Sequence, residues 1–331
     1  SRSYMPLHLV VLIHGYNGHP KMWDYFTEKL KSRQIHGVHV LSTQGFAGNA
    51  SKEGIRRCAE QVFDEVKEYL QANTSVDKLS IVGHSLGGLI ARYAVSLLRP
   101  LWQSHGIQPM NLVTVNTPHL GIHDPAGLAQ KTGMSFFITA IGTLQGLLCN
   151  VPGVKSLVGG PSVTEMLLFD NKANPLLQRM STDPIFMEPL AEFQQRLMYI
   201  CTEDGIIPFQ SGAATYLPKP PPMHPGIYAL GDAQGPPQPT EMAELFVGST
   251  WEPVQPYVCK IVEGLATVQW QRFFVVPRSE PWGHTHVDTV SPTYLCAFGQ
   301  DPWLREPRHE DCQKGLDGVH PTDHMILNMV W

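Results

Sequence analysis

LSIVGHSLGGLIARYAV, residues 79–95, is the stretch whose reading decides the fold. An apolar run from Leu79 to Val82 enters a glycine-rich turn, and helical apolar spacing takes over from Leu86 to Leu98. The turn is a G-x-S-x-G with one further glycine, placed between a strand and a helix. In such a sharp turn the serine backbone is strained and neighbouring side chains would collide. Gly83 and Gly87 leave room, so the hydroxyl projects above the sheet. The helix that follows adds free N–H groups and positive potential at the same point. A glycine-rich turn can also open a phosphate loop, but the lysine of a P-loop is absent here. Ser85 is therefore the candidate nucleophile.

Outward from this turn, strands and helices alternate. His8 to Ile13 reads as a buried strand, followed by the turn HGYNGHP and a helix from about Met22 to Lys31. Val38 to Ser42 is the next strand. From Gly54 to Gln71, the residues Ile55, Cys58, Ala59, Val62, Val66, Tyr69 and Leu70 mark one buried helix face. Asn111 to Val115 and Arg196 to Cys201 read as strands, Val258 to Thr267 as a helix, and Arg272 to Val276 as a last strand. A short closing helix, Thr322 to Val330, has Thr322 as its cap. The alternation predicts a mostly parallel central sheet flanked by helices, and the G-x-S-x-G turn between strand and helix makes the expectation an α/β-hydrolase fold, in a single domain over 1–331. Two stretches break the pattern. Residues 120–195 are rich in Gly, Pro, Met and Phe without strand alternation, which predicts an inserted cap or lid. Prolines crowd the stretch from Leu217 to Pro239, which predicts a surface excursion over about 217–256.

Composition narrows the function classes. Hydrophobic residues make up 43% of the 331 and charged residues 16%, so a packed core is expected. A net charge of -5 gives no basic footprint for a phosphate backbone, which excludes nucleic acid as a partner. The six cysteines, at 58, 149, 201, 259, 296 and 312, lack the close pairing of a zinc site or disulfide scaffold. They predict a reducing, cytoplasmic setting. No run of about 18 apolar residues occurs; the nearest is Met134 to Cys149, interrupted by Thr, Gly and Gln.

A nucleophilic serine acting on an acyl group needs donors for the developing oxyanion, a base and an acid that orients it. His14-Gly15-Tyr16 ends the first strand, and the N–H groups of Tyr16 and Leu86 are the candidate oxyanion donors, each able to contribute about 10²- to 10³-fold. HGYNG is equally what a plain tight turn requires. In this fold the acid precedes the base along the chain. Asp204 fits the acid, directly after a strand in EDGIIP, with Glu203 as its rival. Fifteen histidines are present, and six follow the acid: His224, His284, His286, His309, His320 and His324. His224 lies among prolines and His309 in a charged loop, whereas His320 and His324 flank or enter the closing helix, where capping or packing suits them. His284 and His286 follow the last strand, where the catalytic loop belongs. His284-Thr285-His286 also has the look of a metal pair, but no third ligand is evident, so no metal is expected.

The chain resembles the serine esterase family of eukaryotes within the α/β-hydrolase superfamily, which includes plant and algal lipase-like proteins and a fungal lipid-droplet phospholipase. The resemblance covers nearly the whole chain and rests on HLVVLIHGYNG, LSIVGHSLGGLIARYAV, MNLVTVNTPHLG, RLMYICTEDGIIPF and GLATVQWQRFFVV with a histidine loop after it. TPHLG is the most family-specific part, since generic hydrolase chemistry does not require it. The resemblance implies Ser85 as nucleophile and Asp204 as acid. It implies a base in the pattern small residue, His, two variable residues and an aliphatic, satisfied by Gly283-His284-Thr285-His286-Val287. His284 is preferred, and His286 is the alternative, because it keeps the expected spacing from Trp270. Asp323-His324-Met325-Ile326 resembles the family's final helix, which moves His324 away from catalysis. The insert before Trp251 and the loop after Leu295 depart from the pattern.

These readings lead to one expectation: two-step acyl transfer on a carboxylic ester, without metal or organic cofactor. Met134, Phe136, Phe137, Ile138, Ile141, Leu144, Leu147 and Leu148 suit acyl chains or an interfacial lid, although a buried cap helix has the same composition. The family resemblance implies a lipase or phospholipase with a lipid ester as substrate, and peripheral contact with a membrane or lipid droplet. Acyltransferase or thioesterase activity on the same triad, and a non-catalytic scaffold that binds lipid or a partner, are the alternatives.

Overall fold

The computed structural model of the protein describes residues 6–122, 160–204, 206–215, 226–230, 254–276 and 320–331. Its frame is a seven-stranded sheet, made of β1 (Leu7–Ile13), β2 (Val38–Ser42), β3 (Val76–His84), β4 (Gln108–Val115), β5 (Gln195–Cys201), β6 (Gly226–Leu230) and β7 (Gln271–Val276). The order is β2-β1-β3-β4-β5-β7-β6, parallel throughout except for the β6–β7 pair. β1 shows why the parallel strands read as continuous apolar runs. Leu9, Val11 and Ile13 enter one hydrophobic cluster and Val10 and Leu12 the other, so both faces are covered.

Nine α-helices occur among the described residues: α1 (Asp24–Ser32), α2 (Ile55–Ala72), α3 (Leu86–His105), α4 (Gly160–Met166), α5 (Leu176–Thr182), α6 (Pro184–Glu192), α7 (Phe209–Ala213), α8 (Gln255–Ala266) and α9 (Pro321–Asn328). α2, α3 and α8 contribute to the cluster on one face, α1 and α9 to the cluster on the other. Strand order reverses between β1 and β3: from β1 the chain goes outward to β2, and from β3 it goes the other way to β4. Such a switch point opens a crevice at the carboxyl ends of the two strands, and those ends are His14-Gly15 and His84-Ser85.

The fold expected from sequence is the fold observed, with local differences. α3 continues through Pro100 to His105, although the missing proline N–H and ring clash cost a helix interior about 3 kcal/mol. Tertiary packing offsets this: Trp102 is buried, its ring meets Phe193 edge-on at 5.7 Å, and its Nε1 donates to Glu192 at 2.8 Å. Gly226–Leu230, inside the stretch expected to be a surface excursion, is the sheet strand β6, paired antiparallel with β7. The surrounding prolines hid it, because an edge strand needs only one row of N–H donors. The last helix starts at Pro321, and its cap is His320, whose Nδ1 accepts from the Thr322 N–H at 3.1 Å; Thr322 is not the cap. Within 120–195, α4, α5 and α6 are regular helices too short for a clear apolar period. The Met134 to Cys149 segment lies outside the described residues.

Candidate active site

Ser85 sits between β3 and α3 with φ 56° and ψ -128°. A non-glycine residue in this region carries about 1–3 kcal/mol of strain and persists only where the surroundings over-determine it. Here they do. The Ser85 N–H donates to Val115 O on β4 at 2.8 Å, and its carbonyl accepts from Gly88 N–H at 3.0 Å. A Cβ on Gly83 would lie 2.5 Å from Gly87 O and 2.6 Å from Gly88 Cα, and one on Gly87 would overlap the carbonyls of Ile13 and His14. The glycines therefore allow the turn to close onto itself and onto β1. Ser85 is 9% exposed, within a buried run from Ser80 to Arg92.

The turn after β1 reaches the same corner. A Cβ on Gly15 would stand 2.8 Å from Ser85 Cβ and 3.3 Å from Ser85 Oγ, so this backbone passes directly over the serine side chain. Tyr16 follows Gly15, and Leu86, fully buried, follows Ser85; the two candidate oxyanion donors thus flank the serine. Hydrogen bonds stiffen the turn: Gly18 N–H to Gly15 O at 3.1 Å, Gly48 N–H to Gly18 O at 2.9 Å, and Asn17 N–H to Ser51 Oγ at 2.7 Å. Burial raises the Tyr16 phenol pKa, so the side chain stays neutral. His14 is buried against Phe46, with ring centroids 4.3 Å apart, and burial lowers its pKa to about 4. It is neutral at physiological pH, and because its partner Gly15 O can only accept, the single ring proton sits on Nδ1, which donates at 3.0 Å.

Asp204 and Glu203 follow the carboxyl end of β5, and their surroundings differ. Glu203 is exposed, whereas Asp204 is half-buried and its Oδ1 accepts two backbone N–H bonds, from Ile206 at 2.7 Å and Ile207 at 2.9 Å. An aspartate that closes its own turn in this way is held in one orientation. Asn116, which the sequence reading passed over, anchors the strand end below it. Held at φ 46° after β4, it donates its N–H to Tyr199 O at 2.8 Å and accepts from Cys201 N–H through Oδ1 at 2.8 Å. The only signal was an Asn directly after an apolar strand, a residue type that tolerates positive φ.

His284 and His286 lie outside the described residues, as do His224 and His309. β7 runs parallel to β5 in the register Cys201↔Val275, so the chain leaves β7 at the edge of the sheet that carries Ser85 and Asp204. The two described histidines that follow Asp204 serve α9. His320 caps it and meets Tyr25 edge-on at 4.8 Å; His324 Nδ1 pairs with the Tyr199 hydroxyl at 2.9 Å. No group of His, Cys, Asp and Glu able to hold a metal occurs among the described residues.

A strained serine at the switch point of a parallel sheet, with the next chain turn lying over its hydroxyl, defines an α/β-hydrolase. The chain belongs to the family described as putative serine esterase (DUF676), whose profile matches residues 3–216. Among relatives, the putative lipase ROG1 of Saccharomyces cerevisiae is 28% identical over 221 residues, covering 63% of this chain and 29% of that protein. A triacylglycerol lipase of Pseudarthrobacter phenanthrenivorans is 32% identical over 151 residues, covering 41% of this chain and 44% of that protein. The chain thus spans less than half the length of these relatives. Among solved structures, the mature form of Bacillus licheniformis lipase BlEst2 aligns with a TM-score of 0.37 and 16% identity, over 61% of this chain and 68% of that one.

Proposed function

We propose that the protein hydrolyses carboxylic esters, with lipid esters as its substrates, through a triad of Ser85, Asp204 and His284, and with His286 as the alternative base. The observation that carries this is the strained Ser85 backbone packed beneath the Gly15 turn, an arrangement with a cost in stability and an evident use in acyl transfer. Ser85 Oγ attacks the ester carbonyl while the histidine takes its proton. The carbonyl electron pair moves onto the oxygen, which the N–H groups of Tyr16 and Leu86 receive. Collapse of that intermediate expels the alcohol, which leaves with the proton from the imidazolium. Water, deprotonated by the same imidazole, then attacks the acyl-enzyme and releases the acid, restoring Ser85. Asp204 holds the imidazole tautomer and stabilises the imidazolium.

Lipid as substrate is supported by the relatives described as lipases and by the apolar side chains between Met134 and Leu148, in the insertion we assign as a cap. Phospholipid head groups and peripheral contact with a membrane or droplet surface belong to the same proposal. No helix among the described residues is long and apolar enough to cross a membrane.

The test is labelling with a fluorophosphonate probe together with hydrolysis of a p-nitrophenyl acyl ester, for the wild type, Ser85→Ala, His284→Ala and His286→Ala. Labelling and turnover should disappear in the serine variant and in one histidine variant, His284→Ala by this proposal. Loss confined to His286→Ala would move the base by two positions. A folded wild type that neither labels nor turns over ester, with a lipid interface present, would overturn the reading in favour of a binding scaffold.

A further inference from the structure

TPHLG, residues 117–121, is not needed for ester hydrolysis as such, yet it sits in a buried polar network that joins three parts of the chain. Arg92 lies about two turns into α3 from Ser85 and is wholly buried. Its Nη2 donates to Met180 O at 3.0 Å and Ser181 Oγ at 2.7 Å, and its Nη1 lies 3.3 Å from His119 Nδ1. Among the described residues no carboxylate pairs with it. Burial lowers its pKa to about 9, which leaves it charged at neutral pH. Hydrogen bonds alone do not repay the desolvation of a buried guanidinium without a counter-charge, and packed apolar side chains often replace buried ionic groups without loss of stability. Stability alone is a poor account of it.

The direction of the hydrogen bonds is fixed. A guanidinium can only donate, so His119 Nδ1 accepts and the ring proton sits on Nε2, which donates to Thr114 Oγ1 at 3.0 Å. Burial first, and then the charges of Arg92 and Arg272, hold the His119 pKa well below its usual value. The ring is thus a neutral spacer with one tautomer, unsuited to proton transfer. From this ring the backbone reaches the acid's turn. The His119 N–H contacts Ser211 O at 3.1 Å, the Leu120 N–H donates to Ser211 Oγ at 3.1 Å, and Ser211 Oγ donates to Gly121 O at 2.6 Å. Ser211 belongs to α7, the helix directly after the Asp204 turn. On the other side Arg272 Nε holds Ala213 O at 2.8 Å. Thr117 lies so close to Gly88 that a Cβ there would overlap its hydroxyl, which accounts for the extra glycine of GHSLGG.

The geometry points to Arg92 and His119 as positioning residues: a tautomer-locked strut that sets the Asp204 turn against the helix carrying Ser85. The inference rests on the proposed triad. It is tested with Arg92→Met, His119→Leu, the conservative His119→Asn and Ser211→Ala, the last removing only the two hydroxyl bonds. Amide hydrogen exchange at Ile206 and Ile207 should rise about tenfold or more in Arg92→Met, His119→Leu and Ser211→Ala, with β1 and α2 unchanged. Turnover per probe-titrated site should fall about 10- to 100-fold with KM within about twofold. A loosened carboxylate stabilises the imidazolium less, so the acid limb of the pH profile should move to lower pH. His119→Asn, whose amide oxygen takes the place of Nδ1 and can accept from Arg92, should recover part of the loss that His119→Leu shows. Unchanged exchange at Ile206 and Ile207, or a loss of activity explained by fewer titratable sites with an unmoved pH profile, would overturn the strut. An inactive wild type would overturn the triad instead, while the exchange experiment would still decide the strut. Should Arg92→Met fail to fold, Ser211→Ala carries the same comparison.

Discussion

Ser85 and Asp204 both stand at carboxyl ends of parallel strands, but they are held in place by different means. Beside its two backbone hydrogen bonds, to Val115 O and from the Gly88 N–H, Ser85 is hemmed in by steric contact: Gly83 and Gly87 close the turn, and Gly15 passes over the hydroxyl. The Asp204 turn is held by hydrogen bonds: Asp204 Oδ1 accepts two within the turn, the preceding Cys201 N–H donates to Asn116 Oδ1, and Ser211, in the helix after the turn, donates to Gly121 O. The proposed nucleophile must keep a strained geometry, which close packing resists. The proposed acid must keep an orientation, which directional hydrogen bonds supply.

The sharpest test of the contrast is Asp204→Asn. The amide oxygen can still accept from Ile206 and Ile207, so the turn should survive, while kcat falls about 10⁴-fold through loss of the charge that orders the imidazole. Steady-state kinetics beside Glu203→Gln checks this, and the larger loss in Glu203→Gln would reassign the acid. On the steric side, Gly87→Ala should cost about 3 kcal/mol or more, read from urea midpoints, because the added carbon meets backbone that cannot give. Gly106, at φ 67° after α3, has open space around it, and Gly106→Ala should cost about 1 kcal/mol from conformation alone. Equal losses would remove the packing argument.

Smaller effects probe the ties. Asn116→Ala removes the buried Oδ1 to which the Cys201 N–H donates and should cost about 2 kcal/mol, measured by chemical denaturation. Glu165, on α4, accepts from Ile55 N–H at 2.6 Å at the start of α2, and burial raises its pKa to about 7 from 4.5. The folded state therefore binds more protons than the unfolded between those values, and stability is lost as pH rises through that window. Glu165→Gln keeps an acceptor without titrating. It should be more stable than wild type by about 1 kcal/mol at pH 8, allowing for partial exposure, and equal to it near pH 4. A difference that does not vary with pH would break this account.

The contrast also explains what could be read in the sequence. The elbow was legible because its determinants, GHSLGG and the apolar runs on either side, are contiguous, and β1 announced itself in the same way. The ties around Asp204 were not. Arg92 reads as one polar position on an apolar helix, Asn116 as a turn residue, and Ser211 carries no pattern at all; their roles exist only once β4, β5 and α7 meet. TPHLG was visible as a family signature while its physical reason was hidden, because Thr117 answers to Gly88 and His119 to Arg92. Edge strand β6 escaped for a related reason: its prolines flank the pairing residues instead of interrupting them.

That edge strand has a consequence for how the protein behaves in a crowded solution. β6 contributes only five residues, pairs with β7 on one side, and is bounded in sequence by Pro225 before it and by Pro236, Pro237 and Pro239 beyond it. An open, long edge would offer a template for another chain to extend the sheet. Among the described residues β6 is the last strand of the sheet, and five residues with a proline directly before them, which has no N–H to donate, offer a short ladder to continue, a built-in obstacle to lateral aggregation.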